Sequence, residues 1–396
     1  MRAHMHHLRR DERGMSLVFV SVAFMALLSA TTLAIDVGMF MNSRAQAQNA
    51  ADAGALAGVT ALVFNSFTDR TSTGPAVMSA INTAKANSVA GATVSVTPAD
   101  VTFPNDPSGQ PNRVQVQVFR TADRSNAVST LMGGIFGVAT ADVIATATAE
   151  ASPANAMTCV KPFMIPDKWK ENVDSKGNPD GPWTTNSNFD EFDNKGNPLP
   201  NADVYIPAEQ TGYTGYTTAN DAGTTLVLRA GTGNQPNPSF YYSWKMPGDT
   251  GGSFYRDNIA ACNTSVISYD PNNPYYMTQE PGAMSGPTLQ GIQDLIDQDP
   301  DAQWVDSCKC VKSPKFSISP RVFPIPLFNP QYYAEGKANG RVASFELANF
   351  LGFFAQRVDN SNGQIYGIIT QIIGVVDKNA GPAPAGMFAR SIRLVQ

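Results

Sequence analysis

Residue types that could carry acid–base or nucleophilic chemistry are scarce in this chain of 396 residues. Its three histidines, His4, His6 and His7, all precede an apolar run over 15–35. The chain after that run therefore offers no Ser-His-Asp or Cys-His arrangement and no histidine-based zinc site. Ser-x-x-Lys and Gly-x-Ser-x-Gly motifs are missing from the sequence too. We expect no catalytic residue, and we interpret the histidines as part of a polar tail rather than as a metal site.

Acidic residues form two local groups that could be considered for calcium or for acid–base chemistry. These are Asp190, Glu191 and Asp193, and then Asp294, Asp297, Asp299 and Asp301. Neither group has the spacing of an EF-hand loop. A glycosidase can work with two carboxylates alone, but unpaired acids on loops are too common to indicate one. We therefore expect a solvated acidic surface, with no metal and no cofactor.

Seven aromatic residues occur in three short groups in the second half of the chain. They are Tyr241, Tyr242, Trp244, Tyr275, Tyr276, Tyr332 and Tyr333. Such residues could line a sugar-binding or adhesive surface, but alternating aromatics in strands more often form core and cross-strand pairs. The second interpretation is favoured and the first is kept as an alternative.

The elements that would position any site begin with the uncharged run 15–35. As a helix it would extend about 31 Å, enough for a bilayer core of roughly 30 Å, whereas the apolar part of a signal peptide is only about 7–15 residues long. Residues 32–34 loosely imitate a cleavage site, but the length favours an anchor that is retained.

Charges on the two sides of this run predict its orientation. Arg2, Arg9, Arg10 and Arg13 precede it, and Asp36 follows it. The positive-inside rule then predicts a cytoplasmic basic tail over 1–13, a transmembrane helix over 14–35 and export of everything that follows.

The helix is predicted to continue beyond the membrane to about residue 64. Residues 36–64 contain no proline, and they are rich in Ala, Gln, Arg and Leu, which are good helix formers. Gly54 and Gly58 form a small-xxx-small step, which lets another element approach closely. These helix-packing candidates would contact the helix's own domain, and possible packing between subunits stays open.

The N-terminal sequence resembles a known family. Arg13-Gly14, the uncharged run, Ile-Asp-Val-Gly at 35–38 and QNAADAGALAG at 48–58 follow one another as in TadG-like proteins, the Flp pilus-assembly components of the TadE/TadG group. The stretches 280–304 and 319–336 resemble late segments of such proteins. The resemblance implies a bacterial, membrane-anchored protein with a pilin-like N-terminus that serves the tight-adherence secretion and pilus machinery.

One position departs from the pattern of processed prepilins. Substrates of the type IV prepilin peptidase usually carry Glu at the fifth position after the cleaved glycine, and counting from Gly14 that position is Phe19. We therefore expect no processing at Gly14 and an intact anchor.

Two exported units are predicted after the anchor, giving an α+β fold overall. The unit at 36–155 combines the helix extension with a small α/β pilin-like domain: a helix over 76–89, strands over 92–102, 113–120 and 139–151, and a helix within 126–137. The unit at 156–396 is turn-rich and mostly β, with one clear helix near Pro287. Its strands are predicted at 225–230, 239–246, 322–328, 343–358 and 364–376.

Short glycine-rich strings in the second unit are interpreted as turns. DSKGNP at 174–179 returns as DNKGNP at 193–198, and Asn and Gly tolerate the positive φ that tight turns need. GTGNQP at 231–236 is half of a phosphate-binding loop with no following helix, and DNSNG at 359–363 is interpreted as a hairpin turn.

The four cysteines, Cys159, Cys262, Cys308 and Cys310, all follow the apolar run, where an oxidising compartment is expected. An extended strand would hold the Cα atoms of Cys308 and Cys310 near the upper limit for a disulfide. We therefore expect Cys159 and Cys262 each to bond one member of that pair, with the choice of member left open. A metal held by Cys308 and Cys310 is the competing idea.

Composition limits the partners. There are 28 Lys and Arg against 33 Asp and Glu, a net charge of −5, with no basic patch outside the N-terminal tail, so a nucleic-acid partner is not expected. We predict a non-enzymatic protein of the bacterial inner membrane with a periplasmic or surface-exposed C-terminal domain. Its partners would be membrane lipid and pilin-like or other Tad proteins. The alternative is a tethered binding protein or adhesin that recognises glycan or matrix.

Overall fold

The computed structural model describes residues 13–65, 69–107, 109–193, 195–231, 235–338 and 344–395. The expected cytoplasmic tail, including the three histidines and every tail arginine except Arg13, lies outside the described residues.

Helices and strands alternate irregularly along the chain. The helices are α1 (Arg13–Phe64), α2 (Pro75–Ala86), α3 (Thr218–Asp221), α4 (Gly252–Ala260), α5 (Ser285–Gln298) and α6 (Pro330–Ala338), with short 3-10 helices at Pro98–Asp100 and Gly133–Phe136. The strands are β1 (Ser88–Val89), β2 (Ala92–Thr93), β3 (Val101–Thr102), β4 (Arg113–Arg120), β5 (Val128–Ser129), β6 (Thr140–Ala141), β7 (Val143–Pro153), β8 (Ala156–Met157), β9 (Phe163–Pro166), β10 (Thr225–Ala230), β11 (Phe240–Ser243), β12 (Ile267–Ser268), β13 (Tyr276–Thr278), β14 (Gln303–Val305), β15 (Cys310–Lys312), β16 (Val322–Phe328), β17 (Ser344–Asp359), β18 (Gln364–Thr370) and β19 (Arg390–Val395).

Helix α1 is a single rod of 52 residues, about 78 Å long at 1.5 Å per residue. It contains no proline, so no backbone N–H is missing from its ladder of hydrogen bonds. Ser and Thr hydroxyls in its apolar half donate to carbonyls in the preceding turn, as Ser21 does to Leu17 at 2.8 Å. The continuous helix from the apolar run to residue 64 is as the sequence predicts.

The second half of α1 packs with α2 on a four-stranded antiparallel sheet of order β19-β7-β4-β3. Strand β4 alternates, and its Val114, Val116 and Val118 are fully buried towards the helices. On β7 the corresponding positions are mostly alanine, which allows α1 to lie close to the sheet.

The last strand returns to this first sheet. Glu150 of β7 is buried, and it forms ion pairs with Arg113 of β4 at 2.7 Å and with Arg393 of β19 at 3.1 Å. It therefore ties together three adjacent strands. The predicted boundary between the two exported units at 155/156 stays a prediction. Strand β19 belongs to the second unit by sequence but pairs with β7 of the first unit.

The second sheet is barrel-like. Strands β17, β16, β9, β11, β10 and β18 pair in that order, and β18 pairs again with β17, while β13 lies outside on the first part of β17. A register shift between Ala355 and Arg357 interrupts the regular pairing of β17, and no Cβ would fit at Gly352, where it would clash with the Thr370 carbonyl oxygen. This mostly β region and the long N-terminal helix confirm the predicted α+β class.

Two large apolar clusters, beside a smaller one around Trp169, fill the described part of this region. One contains Phe163, Phe323 and Phe353 together with side chains of α4 and α5. The other contains Tyr242, Phe328 and further aromatics beside α6. Helices α4 and α6 were not predicted from the sequence, whereas α5 lies where the helix near Pro287 was expected.

The repeated six-residue strings form two equivalent turns. Asp174 accepts hydrogen bonds from the backbone of Lys176 and Asn178, and Asp193 does the same with Lys195 and Asn197, all at 2.8–2.9 Å. The glycine of each string has a positive φ, 80° and 82°. The turn interpretation is thus confirmed by the geometry of both copies.

Two predictions in the first unit are wrong. Residues 126–137 form β5 and a 3-10 helix instead of an α-helix, because the backbone N–H groups of residues 131–133 bind the distant Asp36 carboxylate. The expected strand over 92–102 is interrupted by the 3-10 helix Pro98–Asp100, which begins with a proline.

The expected disulfide pairing is also wrong. The bonds are Cys159–Cys262 and Cys308–Cys310. Lys309 adopts a positive φ of 51°, so the chain turns between its two cysteines and their Cα atoms lie 5.2 Å apart, closer than an extended strand would hold them. Since Cys308 and Cys310 are bonded to each other, they are not free to hold a metal as thiolates.

Candidate functional site

The surface of α1 changes character along its length. From Met15 to Ile35 its large apolar side chains are exposed, for example Leu17 at 70% and Phe19 at 69%. From Ala47 onwards one face is buried against the sheet and α2. A helix with exposed apolar side chains all round has no protein core to bury them, which is the pattern of a membrane span.

Length and composition agree with that pattern. Among the described residues one helix, Met15–Phe64, is long and apolar enough to cross a membrane, and its most apolar part has no buried residue. The charged residue that ends the exposed apolar stretch is Asp36.

The two glycine candidates face the interior of the protein's own first unit. A Cβ added at Gly58 would lie 2.8 Å from Val114 Cγ1 and 3.1 Å from the Ala80 Cβ. A Cβ at Gly54 would lie 3.1 Å from both the Ala80 carbonyl oxygen and the Ala84 Cβ. This small-residue face is covered by α2 and β4, so any contact with another subunit would use other residues of α1.

Asp36 holds a distant loop at the end of the apolar stretch. Its side chain is only 5% exposed, and its two carboxylate oxygens accept hydrogen bonds from the backbone N–H groups of Leu131 (2.8 Å), Met132 (3.2 Å) and Gly133 (2.7 Å). The last of these residues, Gly133, is the first residue of the 3-10 helix Gly133–Phe136. The contact fixes the loop against α1.

That loop, together with the adjacent strand, presents an apolar surface beside α1. Leu131, Phe136 and Val138 are 63%, 61% and 55% exposed. A few residues further along the chain, a groove of about 450 Å³ lies between residues 37–44 of α1 and residues 141–144. Contiguous exposed apolar surface is typical of contact sites, so this surface is a candidate for one.

The acidic candidates do not form one site. Asp294 pairs with Arg256 at 2.7 Å, and Asp299 accepts a hydrogen bond from the Ser313 hydroxyl at 3.0 Å. Asp193 organises its turn, and Glu191 accepts from the Gln331 amide at 3.1 Å. Most of these side chains serve turns and ion pairs rather than a shared ligand.

A different carboxylate cluster is formed by Glu171, Asp190 and Asp203, which each place an oxygen within 4.8 Å of the others. Burial and the nearby Asp203 carboxylate raise the pKa of Glu171 to about 7 and the pKa of Asp190 to about 7. Burial also raises the pKa of Asp203, although its carboxylate accepts three backbone hydrogen bonds. Glu171 and Asp190 hold equivalent positions, three residues before the two repeated turns, a signal that is present in the sequence but is not visible from local groups of acidic residues.

Most of the aromatic candidates are core residues. Tyr241, Tyr242, Trp244 and Tyr333 are at most 5% exposed, and the rings of Tyr333 and Phe345 stack at 4.9 Å. Tyr276 is 49% exposed and its ring lies 5.5 Å from that of Tyr332. The aromatics therefore form no continuous surface platform.

Together these features define a class: a protein whose single long N-terminal helix is apolar and exposed in its first half and carries an α+β body on its second half. Residues 14–61 match the family model described as "Putative Flp pilus-assembly TadE/G-like". This confirms the TadG-like resemblance over that segment. No curated protein and no solved structure matches the chain.

The Asp36–loop contact is a second feature that sequence reasoning did not find. Asp36 was recognised only as the charge that ends the apolar run, and its partners lie 95–97 residues further along the chain. The sequence marks this loop only by the absence of charge between Arg124 and Asp142, which does not identify Asp36 as its partner.

Proposed function

We propose that the protein is a non-enzymatic, membrane-anchored component of Flp pilus assembly. The observation that carries the proposal is that the helix matching the TadE/G-like model is also the helix whose first half is exposed and apolar. In this proposal residues 15–35 span the bacterial inner membrane once. The N-terminal tail is cytoplasmic, and the α+β body is on the periplasmic or outer side.

The proposed contacts with assembly partners use the part of α1 just outside the membrane. Ala51, Ala55 and Val59 face the protein's own core and are fully buried. Met41 is 71% exposed, and it borders the groove between α1 and residues 141–144. Pilin-like helices or other Tad proteins would pack against this exposed side.

The proposal is tested by photo-crosslinking in a bacterium that makes Flp pili. A benzophenone amino acid replaces Met41 in one strain, and it replaces Ile318, which is 48% exposed near the opposite end of α1, in a control strain. We expect Met41 adducts with pilin-like or other Tad proteins and none of these from Ile318. The gene deletion is expected to abolish pili.

Two results would contradict the proposal. Normal pili in the deletion strain would show that pilus assembly does not need the protein. If the Met41 adducts contain only lipids and chaperones, this side of α1 does not contact an assembly partner. A periplasm-active reporter fused after Gln396 tests the orientation and is expected to be active.

A further inference from the structure

The apolar loop bound to Asp36 lies at the level where the exposed apolar half of α1 ends. The height of the loop relative to the membrane can be read from the residues of α1 that it contacts, because each residue advances about 1.5 Å along the helix axis. Gln48 donates to the carbonyl oxygen of Thr146, residues 37–44 of α1 border residues 141–144, and Asp36 binds residues 131–133. The segment 146 to 131 therefore runs back along α1 towards its apolar half.

The loop exposes apolar side chains of the kind that insert into a lipid surface. No charged residue occurs between Arg124 and Asp142. Leu131, Met132, Phe136 and Val138 are exposed, and the backbone of residues 131–133 is bound to Asp36, the residue that directly follows the exposed Ile35.

The backbone of the loop also forms internal hydrogen bonds, which a medium poor in water requires. Beyond the three N–H groups bound by Asp36, the Val138 N–H donates to the Gly133 carbonyl oxygen at 2.9 Å, and the Thr130 N–H donates to Ala139 at 3.0 Å. The Thr130 hydroxyl donates to the Val138 carbonyl oxygen at 2.7 Å. Internal pairing of this kind is what non-helical backbone needs near hydrocarbon.

We propose that residues 131–138 insert into the interface of the same membrane that α1 spans. The occupant of this apolar surface is thus lipid, at the boundary of headgroups and acyl chains. The loop and α1 would then be two contacts with one bilayer, and Asp36 would hold the angle between the α+β body and the membrane. This inference rests on the proposed membrane anchor, since the loop's level is measured from it.

The test uses the full chain in vesicles of phosphatidylethanolamine and phosphatidylglycerol, some with acyl chains that carry bromine, a quencher of tryptophan. Phe136→Trp reports on the loop and Leu28→Trp on the anchor. Ile318→Trp is the control, because Ile318 lies beside Phe64, about 42 Å from Asp36 along the helix axis. The signal of each added indole is the difference from the parent chain.

We expect the added indoles at 136 and 28 both to be quenched and the indole at 318 to be unaffected. Quenching at 28 without quenching at 136 overturns the loop insertion and leaves the anchor intact. No quenching at 28 overturns the anchor itself.

A second measurement separates lipid from a protein partner. A benzophenone amino acid in place of Phe136 is expected to give lipid adducts in cells. A protein adduct at this position would assign the surface to a partner and overturn the proposal. Circular dichroism of each variant checks that the chain is folded.

Discussion

Gly38 and Gly58 lie in the same helix but in different surroundings. A Cβ at Gly38 would meet nothing within 4 Å, whereas one at Gly58 would press on Val114 at 2.8 Å. Replacing either glycine with alanine favours the helix by about 1 kcal/mol, while overpacking costs about 1–3 kcal/mol. The difference between the two positions is therefore the cost of the close contact.

We expect Gly58→Ala to lower the free energy of unfolding by about 1 kcal/mol and Gly38→Ala to leave it unchanged or raise it. Thermal unfolding of both variants in the same detergent measures this. Equal effects of the two substitutions would show that Gly58 is not at a close contact.

The carboxylate cluster leads to a prediction about pH. The pKa of Asp190 is raised to about 7 in the folded chain, whereas an unfolded Asp has a pKa of about 3.9. Between these values the folded state binds more protons than the unfolded state, so stability falls as pH rises from about 4 to about 7. Glu171 and the fully buried Asp167, with pKa values raised to about 7 and about 6, contribute with the same sign.

Asp190→Asn is expected to reduce the loss of stability between pH 5 and about 8, because one of these groups no longer ionises. Asp193→Asn is the matched control. The pKa of Asp193 is lowered by hydrogen bonds from Asn197, so its ionisation does not change in this range. Melting temperatures of the variants and the parent chain are measured across this pH range. The prediction is contradicted if the melting temperature of Asp190→Asn changes with pH as that of the parent chain does.

At the scale of elements, the two disulfides differ in what they constrain. Cys159–Cys262 joins positions 103 residues apart, and Cys308–Cys310 joins positions 2 apart. In the chain-entropy model the longer loop is worth about 4–5 kcal/mol and the short one about 1–2 kcal/mol.

Non-reducing peptide mapping is expected to recover these two pairs. The double substitution of Cys159 and Cys262 by serine should then destabilise the chain more than that of Cys308 and Cys310. Peptides that link 159 or 262 to 308 or 310 would restore the pairing expected from the sequence and refute the one in the structure.

At the scale of the whole molecule, β19 completes the sheet on which α1 rests. A chain that ends after Ala389 would expose the edge of β7 and unpair Glu150 from Arg393. We expect this truncation to destabilise the first unit strongly. Arg393→Ala, which removes an ion pair of a side chain that is 61% exposed, should cost less than about 1 kcal/mol.

Limited proteolysis followed by mapping of cleavage in α2 and β4 distinguishes the two variants. The truncated chain is expected to be cut there faster than the parent, and Arg393→Ala is not. Equal protection of the truncated chain would mean that the first unit is stable without its last strand.

Local pattern was sufficient for several elements. The sequence predicts β4, β10 and β16 with the bounds that the structure has, because their residues alternate or form short apolar runs between turn signals. It likewise predicts the full length of α1, since no residue in 13–64 breaks a helix. The repeated turns follow from Asp, Gly and Asn at fixed offsets.

Contacts between distant residues decided the rest. The loop at 131–138 is not helical because Asp36 takes its N–H groups, and periodicity within the loop carries no information about that partner. The disulfide pairing depends on the positive φ of Lys309, and the Glu171–Asp190–Asp203 cluster depends on how two turns pack. The sequence by itself determined the long helix and the strands, whose hydrogen bonds and periodicity are local, while only the tertiary structure decided which distant side chains meet.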